Sequence, residues 1–146
     1  MPEAGDAYLK ALERLAFGLV AITSMAIQEA ASRGELTVQQ WRVLVILGFE
    51  PDGARISALG RGIAASGPST SRLIRRLERR GLVELDPDPA DRRAIRVHLS
   101  PTGMALREQI VDRRRTLIRE AIGEQDPSIE DTQAMVRVAA AFDRWI

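Results

Sequence analysis

A chain of 146 residues, 45% apolar and 28% charged, is long enough for one domain with a sizeable core, or for a small domain plus an oligomerisation arm. It has no cysteine, which excludes disulfides and thiol redox sensing, and its single histidine, His98, argues against a His-rich metal site. Net charge is only +1, so bulk charge does not mark a nucleic-acid binder, although every basic residue except Lys10 is arginine, the better side chain for bidentate contacts to phosphate and guanine.

The N-terminal stretch MPEAGDAYLK lacks the basic-then-apolar order of a signal peptide. No apolar run approaches the roughly 18 residues needed to span a membrane. The expected setting is therefore cytoplasmic, without a membrane. Tyr8, Leu12, Leu15, Leu19, Ile22, Ala26 and Ala30 recur at steps of mostly four and three, which predicts one helix over residues 6–33 with Gly34 as its stop. Such a helix is roughly 42 Å long and needs a partner along its whole length. Thr37 followed three residues later by Gln40 is a capping-box pattern. The helix it starts carries Trp41, Leu44, Val45 and Leu47 at core spacing and stops near Gly48. The stretch FEPDGA, residues 49–54, reads as a loop.

Residues 56–63, ISALGRGI, predict a short, weak helix with Ile56, Leu59 and Ile63 facing inward. Gly60 and Gly62 each cost about 1 kcal/mol of helix propensity, which suggests a loose or kinked element. Ser66 caps a further helix with Pro68 in its first turn, and Gly81 ends it. Its buried face is Thr70, Leu73, Ile74 and Leu77. Leu82, Val83 and Leu85 begin a strand, and Ile95, Val97 and Leu99 alternate with Arg96 and His98 in a second. Together they make a two-stranded hairpin with a charged tip. Ile95, Val97 and Leu99 anchor it, and His98 faces outward. Asp86, Asp88, Asp91, Arg92 and Arg93 are expected to be hydrated. Ser100-Pro101 starts a helix that runs to about Ile122 with Leu106, Ile110, Leu117 and Ala121 on one face. After a break from Gly123 to Pro127, Ser128 caps a last helix with the stripe Ile129, Thr132, Val136, Ala139, Phe142 and Ile146.

The predicted fold is mainly α with a small β-hairpin wing. Residues 37–100 form a winged helix-turn-helix, flanked by a helical region over 1–36 and 101–146. A helix-turn-helix sets the N-terminal residues of its second helix against base edges in the major groove. Here that end offers Ser66, Pro68, Ser69, Ser71 and Arg72, with Arg75 and Arg76 one turn on. From Arg72 to Arg80 there are five arginines against Glu78 alone, a net +4 over nine residues. A row of charges is most often only a solvated helix face. A charged wing directly after such a helix favours double-stranded DNA as the partner.

The run STSRLIRRLERRGLVELDPDPADRRAIRVHLSPTG, Ser69 to Gly103, resembles the MarR family of transcriptional regulators. The likeness is carried by LERRGLV at the end of the recognition helix, by Asp91-Arg92-Arg93 in the wing, and by LSPTG after the second strand. The resemblance implies a homodimer in which the first helix and the last two interlock, with an operator that is a pseudo-palindrome. It implies that the wing tip enters the minor groove. Arg93 is the first choice for insertion, Arg92 its neighbour at phosphate, and Asp91 the residue that orients an arginine by a salt bridge. Many relatives carry basic residues where this chain has Leu85 and Asp86.

The resemblance also implies a repressor relieved by a small aromatic effector. Trp41, Phe49, Phe17 and Met25 are of the type that lines such a site, but for each of them ordinary core is the preferred reading. No effector-binding residue is assigned. No cofactor or metal is expected, and an enzyme is not, because one strand histidine and no cysteine leave little for acid–base or nucleophilic chemistry. The rival reading is a winged-helix protein-interaction module without sequence-specific DNA binding.

Overall fold

In the computed structural model, which describes residues 2–31 and 36–143, nothing interrupts the N-terminal helix after Pro2. Helix α1 spans Pro2–Ala30. It starts four residues earlier than the periodicity suggests, because Pro2 suits a first helical turn. The end of the predicted stretch, with Gly34, and the last stripe position, Ile146, lie outside the described residues. Helix α2 (Val38–Gly48) begins at the expected capping box: Thr37 Oγ1 accepts from the Gln40 N–H at 3.1 Å, and Gln40 Oε1 accepts from the Thr37 N–H at 2.9 Å.

The chain then differs from the predicted loop. Ala54–Arg55 is a short strand, β1, which runs straight into helix α3 (Ile56–Gly62). Helix α4 (Gly67–Arg79) follows, capped by Ser66. Strands β2 (Val83–Pro87) and β3 (Ile95–Leu99) form the hairpin, and β1 pairs with the other edge of β3. The sheet is therefore three-stranded and antiparallel in the order β1-β3-β2, not a free two-stranded hairpin. Helices α5 (Pro101–Ile122) and α6 (Ile129–Ala140) complete the chain.

Residues 37–107 with 124–146 make one compact unit. Its core is Trp41, Val43, Leu44, Leu47, Leu59, Ile74, Leu77, Val83 and Val97, all buried. Val97 is the hairpin's true anchor at 0% exposure, whereas Ile95 is 42% exposed and contributes less than its place in the alternation suggests. Register explains the difference: Val97 stands between Ala54 and Leu85 in mid-sheet, while Ile95 faces only Pro87 at the open end.

Glycines mark the closest approaches in this unit. A β-carbon on Gly60 would come within 2.9 Å of Thr70 Oγ1, so the glycine that weakens α3 lets α3 and α4 meet closely. The short helix is well formed rather than loose. Gly103 is tighter still: a β-carbon there would lie 1.9 Å from the Leu82 carbonyl oxygen. Ser100 fixes this junction. Its N–H donates to the Leu82 carbonyl at 3.1 Å, its hydroxyl donates to the Gly81 carbonyl at 2.5 Å, and its Oγ accepts from the Gly103 N–H at 2.9 Å. Backbone cannot rotate away as a side chain can. Gly103→Ala is therefore expected to destabilise the protein by about 1–3 kcal/mol or more, read as a lower urea midpoint at unchanged m-value. An unchanged midpoint would show that the junction is not tight.

Residues 1–36 with 108–123 make the second unit. Ala26, Ile27, Ile110 and Leu117 are buried, and Arg113 pairs with Glu29 and, at 3.6 Å, with Glu120. Most of α1 is not covered: Tyr8, Leu9, Leu15, Phe17, Leu19, Val20 and Met25 are exposed. Within Glu3–Ala30 an 18-residue window has mean hydropathy 1.3, enough to cross a membrane by length and composition alone, although the uncharged run Leu15–Gln28 stays short of 18 residues as expected. An apolar groove of about 600 Å³ lies beside it, lined by Leu15, Gly18, Leu19 and Ile22 with Ile118 and Ile122. In the other unit, α6 has no buried residue, and Ile129, Met135, Val136 and Phe142 are exposed.

Candidate nucleic-acid interface

The start of α4 is set by local chemistry. Ser66 Oγ accepts from the Ser69 N–H at 3.4 Å, and Pro68 sits where a missing N–H costs nothing. Thr70 is fully buried and its hydroxyl donates to the Ser66 carbonyl at 2.8 Å. Thr70, Ile74 and Leu77 face the core, so Ser66, Pro68, Ser69, Arg72, Arg75 and Arg76 face outward and are exposed. Ser71 is only half-exposed, less available than its neighbours. Arg72 Nη2 donates to Ser69 Oγ at 3.2 Å, which leaves its other donors free to point outward. With Arg79 and Arg80 also exposed, one face of α4 is a continuous cationic strip.

The wing is built by its aspartates. Asp88 is 1% exposed, contrary to the expectation of a hydrated loop carboxylate. Its Oδ2 accepts from Arg55 Nε at 2.8 Å and from Arg96 Nε at 3.1 Å, and its Oδ1 accepts from the Ala90 N–H at 2.8 Å. A carboxylate met by two guanidiniums and an amide can be buried because its charge is paired and three of its roughly four lone-pair directions are used. Asp91 also differs from its expected role. Its Oδ1 accepts from the Arg93 N–H at 3.0 Å, so it shapes the turn beneath the arginine rather than pairing with an arginine side chain. Backbone bonds from Asp91 N–H to Asp88 O (3.2 Å) and from Ala94 N–H to Asp91 O (2.9 Å) close the turn. Arg92 and Arg93 stand exposed at its tip. Asp86 is exposed and lies 3.9 Å from His98 Nε2, on the outer side of the sheet.

Arg55 and Arg96 escape a reading of the sequence. Arg55 precedes a short helix and Arg96 is one residue of a β-alternation, and nothing in their spacing ties them to a carboxylate 33 and 8 positions away. The Arg55 hydrogen bond first, then the Ala90 N–H, hold the Asp88 carboxyl well below the usual carboxylate range. The ionised form is thus favoured by folding. Its contribution to stability is fully present above roughly pH 4 and is lost as pH falls toward the lower folded value. Acidification below about pH 4 is expected to lower the urea midpoint of the wild-type chain more steeply than that of Asp88→Asn. Parallel declines would contradict this linkage.

Of the four residues suited to an effector site, Trp41 belongs to the core. Phe49 is exposed, with the Arg107 guanidinium 5.5 Å above its ring. Phe17 and Met25 are exposed on α1, in the other unit. Among the described residues no group of three or more His, Cys, Asp or Glu side chains is arranged to hold a metal.

Known proteins share this arrangement. The MarR family pattern matches residues 35–94, from the start of the helical core to the wing. The transcriptional activatory protein BadR of Rhodopseudomonas palustris is 32% identical over 134 residues, covering 88% of this chain and 75% of BadR. The HTH-type transcriptional regulator YsmB of Bacillus subtilis is 38% identical over 52 residues, and there the match spans 36% of each protein. The crystal structure of RV1404 from Mycobacterium tuberculosis superposes with a TM-score of 0.77 at 27% identity, covering 95% of this chain and 91% of that one. BadR and YsmB are named as transcriptional regulators rather than as enzymes. With a family pattern over α4 and the wing turn, and a relative matched along most of both chains, this chain belongs to the MarR family of transcriptional regulators.

Proposed function

We propose that the chain binds double-stranded DNA as a homodimer, on a pseudo-palindromic operator, with α4 in the major groove and the wing tip in the minor groove. The observation that carries this reading is one compact unit with two exposed cationic features: the α4 strip and the Arg92-Arg93 tip. In this reading Ser66, Pro68, Ser69 and Ser71 allow close approach to bases. Arg72 reads a guanine or a phosphate, and Arg75 and Arg76 hold the backbone. Arg93 enters the minor groove, with Arg92 at phosphate and Asp91 shaping the turn that presents them.

The dimer is proposed to form through residues 1–36 and 101–146, leaving 37–100 as the DNA-binding part. Support comes from apolar surface that one chain leaves bare on α1 and α6. A membrane is the poorer partner for α1. Charged Glu3, Asp6, Lys10, Glu13 and Arg14 fill its first half, and the uncharged run from Leu15 to Gln28 falls short of the roughly 20 residues a span needs. The cytoplasm, where DNA is reached, is the proposed setting. Repression relieved by a small aromatic effector is the regulatory reading. The name of BadR favours activation as a second one.

Selection of duplexes from a random library by the full chain tests the proposal. The expected product is a two-fold symmetric sequence with half-sites about one helical turn apart. Absence of any enriched sequence would leave the protein-interaction module as the better reading.

A further inference from the structure

Across the three strands, Arg55 on β1 stands directly opposite Arg96 on β3, and Asp86 on β2 lies opposite Arg96 on the other side. Two like charges facing each other across a strand pair destabilise a sheet. Asp88 removes that repulsion by taking one hydrogen bond from each. Asp86, which lies in the same row, remains exposed. The Asp88 carboxylate is also the first residue of the wing turn. Its N–H donates to the Ala94 carbonyl at 2.9 Å and its Oδ1 fixes the Ala90 N–H. Arg96 extends the tie, with Nη1 donating to the Asp52 and Gly53 carbonyls at 3.1 and 3.2 Å. One side chain thus joins three parts of the unit: the loop before α3, the central strand, and the root of the wing.

We propose that Asp88 is a positioning residue for the wing, setting the angle at which Arg93 meets the minor groove by clamping Arg55 and Arg96 beneath the turn. It touches no DNA itself. The wing is otherwise a two-stranded ribbon beyond the last β1 pairing, and such a ribbon swings easily about its root. The clamp ties that root to the segment that leads into α3 and so to the helix-turn-helix. Wing and recognition helix then meet one duplex with a fixed relation between them. The inference rests on the reading of the wing as a minor-groove reader, and the test separates the two.

The test uses the full chain and a duplex obtained by the selection above, with A/T-rich or G/C-rich flanks where the wing tips fall. Binding is measured for wild type, Arg93→Ala, Asp88→Asn, Arg55→Gln and the double variant Asp88→Asn/Arg93→Ala. The expected result is a loss of about 10-fold for Asp88→Asn on the A/T-flanked duplex, little change on the G/C-flanked one, and no further loss when Arg93→Ala is added. Arg55→Gln keeps the Asp88–Arg96 bond and so guards against an unfolded variant. It is expected to lose affinity in the same flank-dependent way. Equal losses on both flanks, additive losses in the double variant, or wild-type binding by Arg55→Gln would overturn the positioning role while leaving Arg93 as the reader. An Arg93→Ala variant without flank dependence would overturn the wing reading itself, and the positioning role with it.

Discussion

Val20→Asp is expected to yield a folded but monomeric chain whose operator affinity is on the order of a hundredfold or more below that of the wild type. Val20 is 65% exposed in the single chain and Phe17 beside it 78%. A carboxylate at position 20 therefore disturbs little within one chain. In the proposed dimer the same position is covered by the partner, and an unpaired buried charge there is strongly unfavourable. Loss of the dimer separates two half-site contacts that otherwise act at high effective concentration, so affinity falls by far more than one contact is worth. Sedimentation measures the association and a binding titration the affinity. A dimeric Val20→Asp variant with wild-type binding would place the dimer contact elsewhere.

Ile74→Ala carries the second large expected effect. Ile74 is fully buried on the inner face of α4 and its neighbours Thr70 and Leu77 are buried too. Truncating it removes apolar contact and leaves a cavity, a cost of about 2–5 kcal/mol. Against a total stability of roughly 5–15 kcal/mol this is a large fraction. Melting is expected to fall by on the order of 10 °C or more for a unit of this size. The cationic strip sits on the opposite face of the same helix, so DNA affinity should fall with stability and recover on cooling. A variant that melts like the wild type would mean that α4 is held mainly by its ends.

The fold was legible where chemistry is local. Capping at Thr37, Ser66 and Ser128, and the periodicity between these points, place the helices to within a few residues. The Thr70, Ile74, Leu77 face of α4 follows from spacing alone, and with it the outward direction of Arg72, Arg75 and Arg76. Strand β1 was not legible, because two residues carry no alternation and Ala54-Arg55 is a strand only through its pairing with Val97 and Arg96. Gly60 misled for a related reason. Its propensity cost is local, whereas its benefit, room for Thr70, belongs to packing.

The wing aspartates show the same divide. Their composition reads as a hydrated loop, and for the exposed Asp86 and Asp91 that is correct. Asp88 is the exception, since the guanidiniums that bury it come from a strand 33 positions earlier and from the far arm of the hairpin. For Asp91 the composition indicates the turn but not the bond the carboxylate accepts there. Its carboxylate holds the Arg93 backbone, so the arginine is presented by a shaped turn and not by a salt bridge.

The central claim is that arginines on α4 and the wing grip the phosphate backbone of one duplex. The most direct measurement is the dissociation constant for the selected operator across a salt series, for the wild type and for Arg75→Ala/Arg76→Ala. The logarithm of the association constant, the reciprocal of that dissociation constant, is expected to fall linearly with log salt, with a slope of about −0.9 per phosphate contact, and the double variant to be shallower by about 1.8. A wild-type line that stays nearly flat, or a double variant with an unchanged slope, would contradict it.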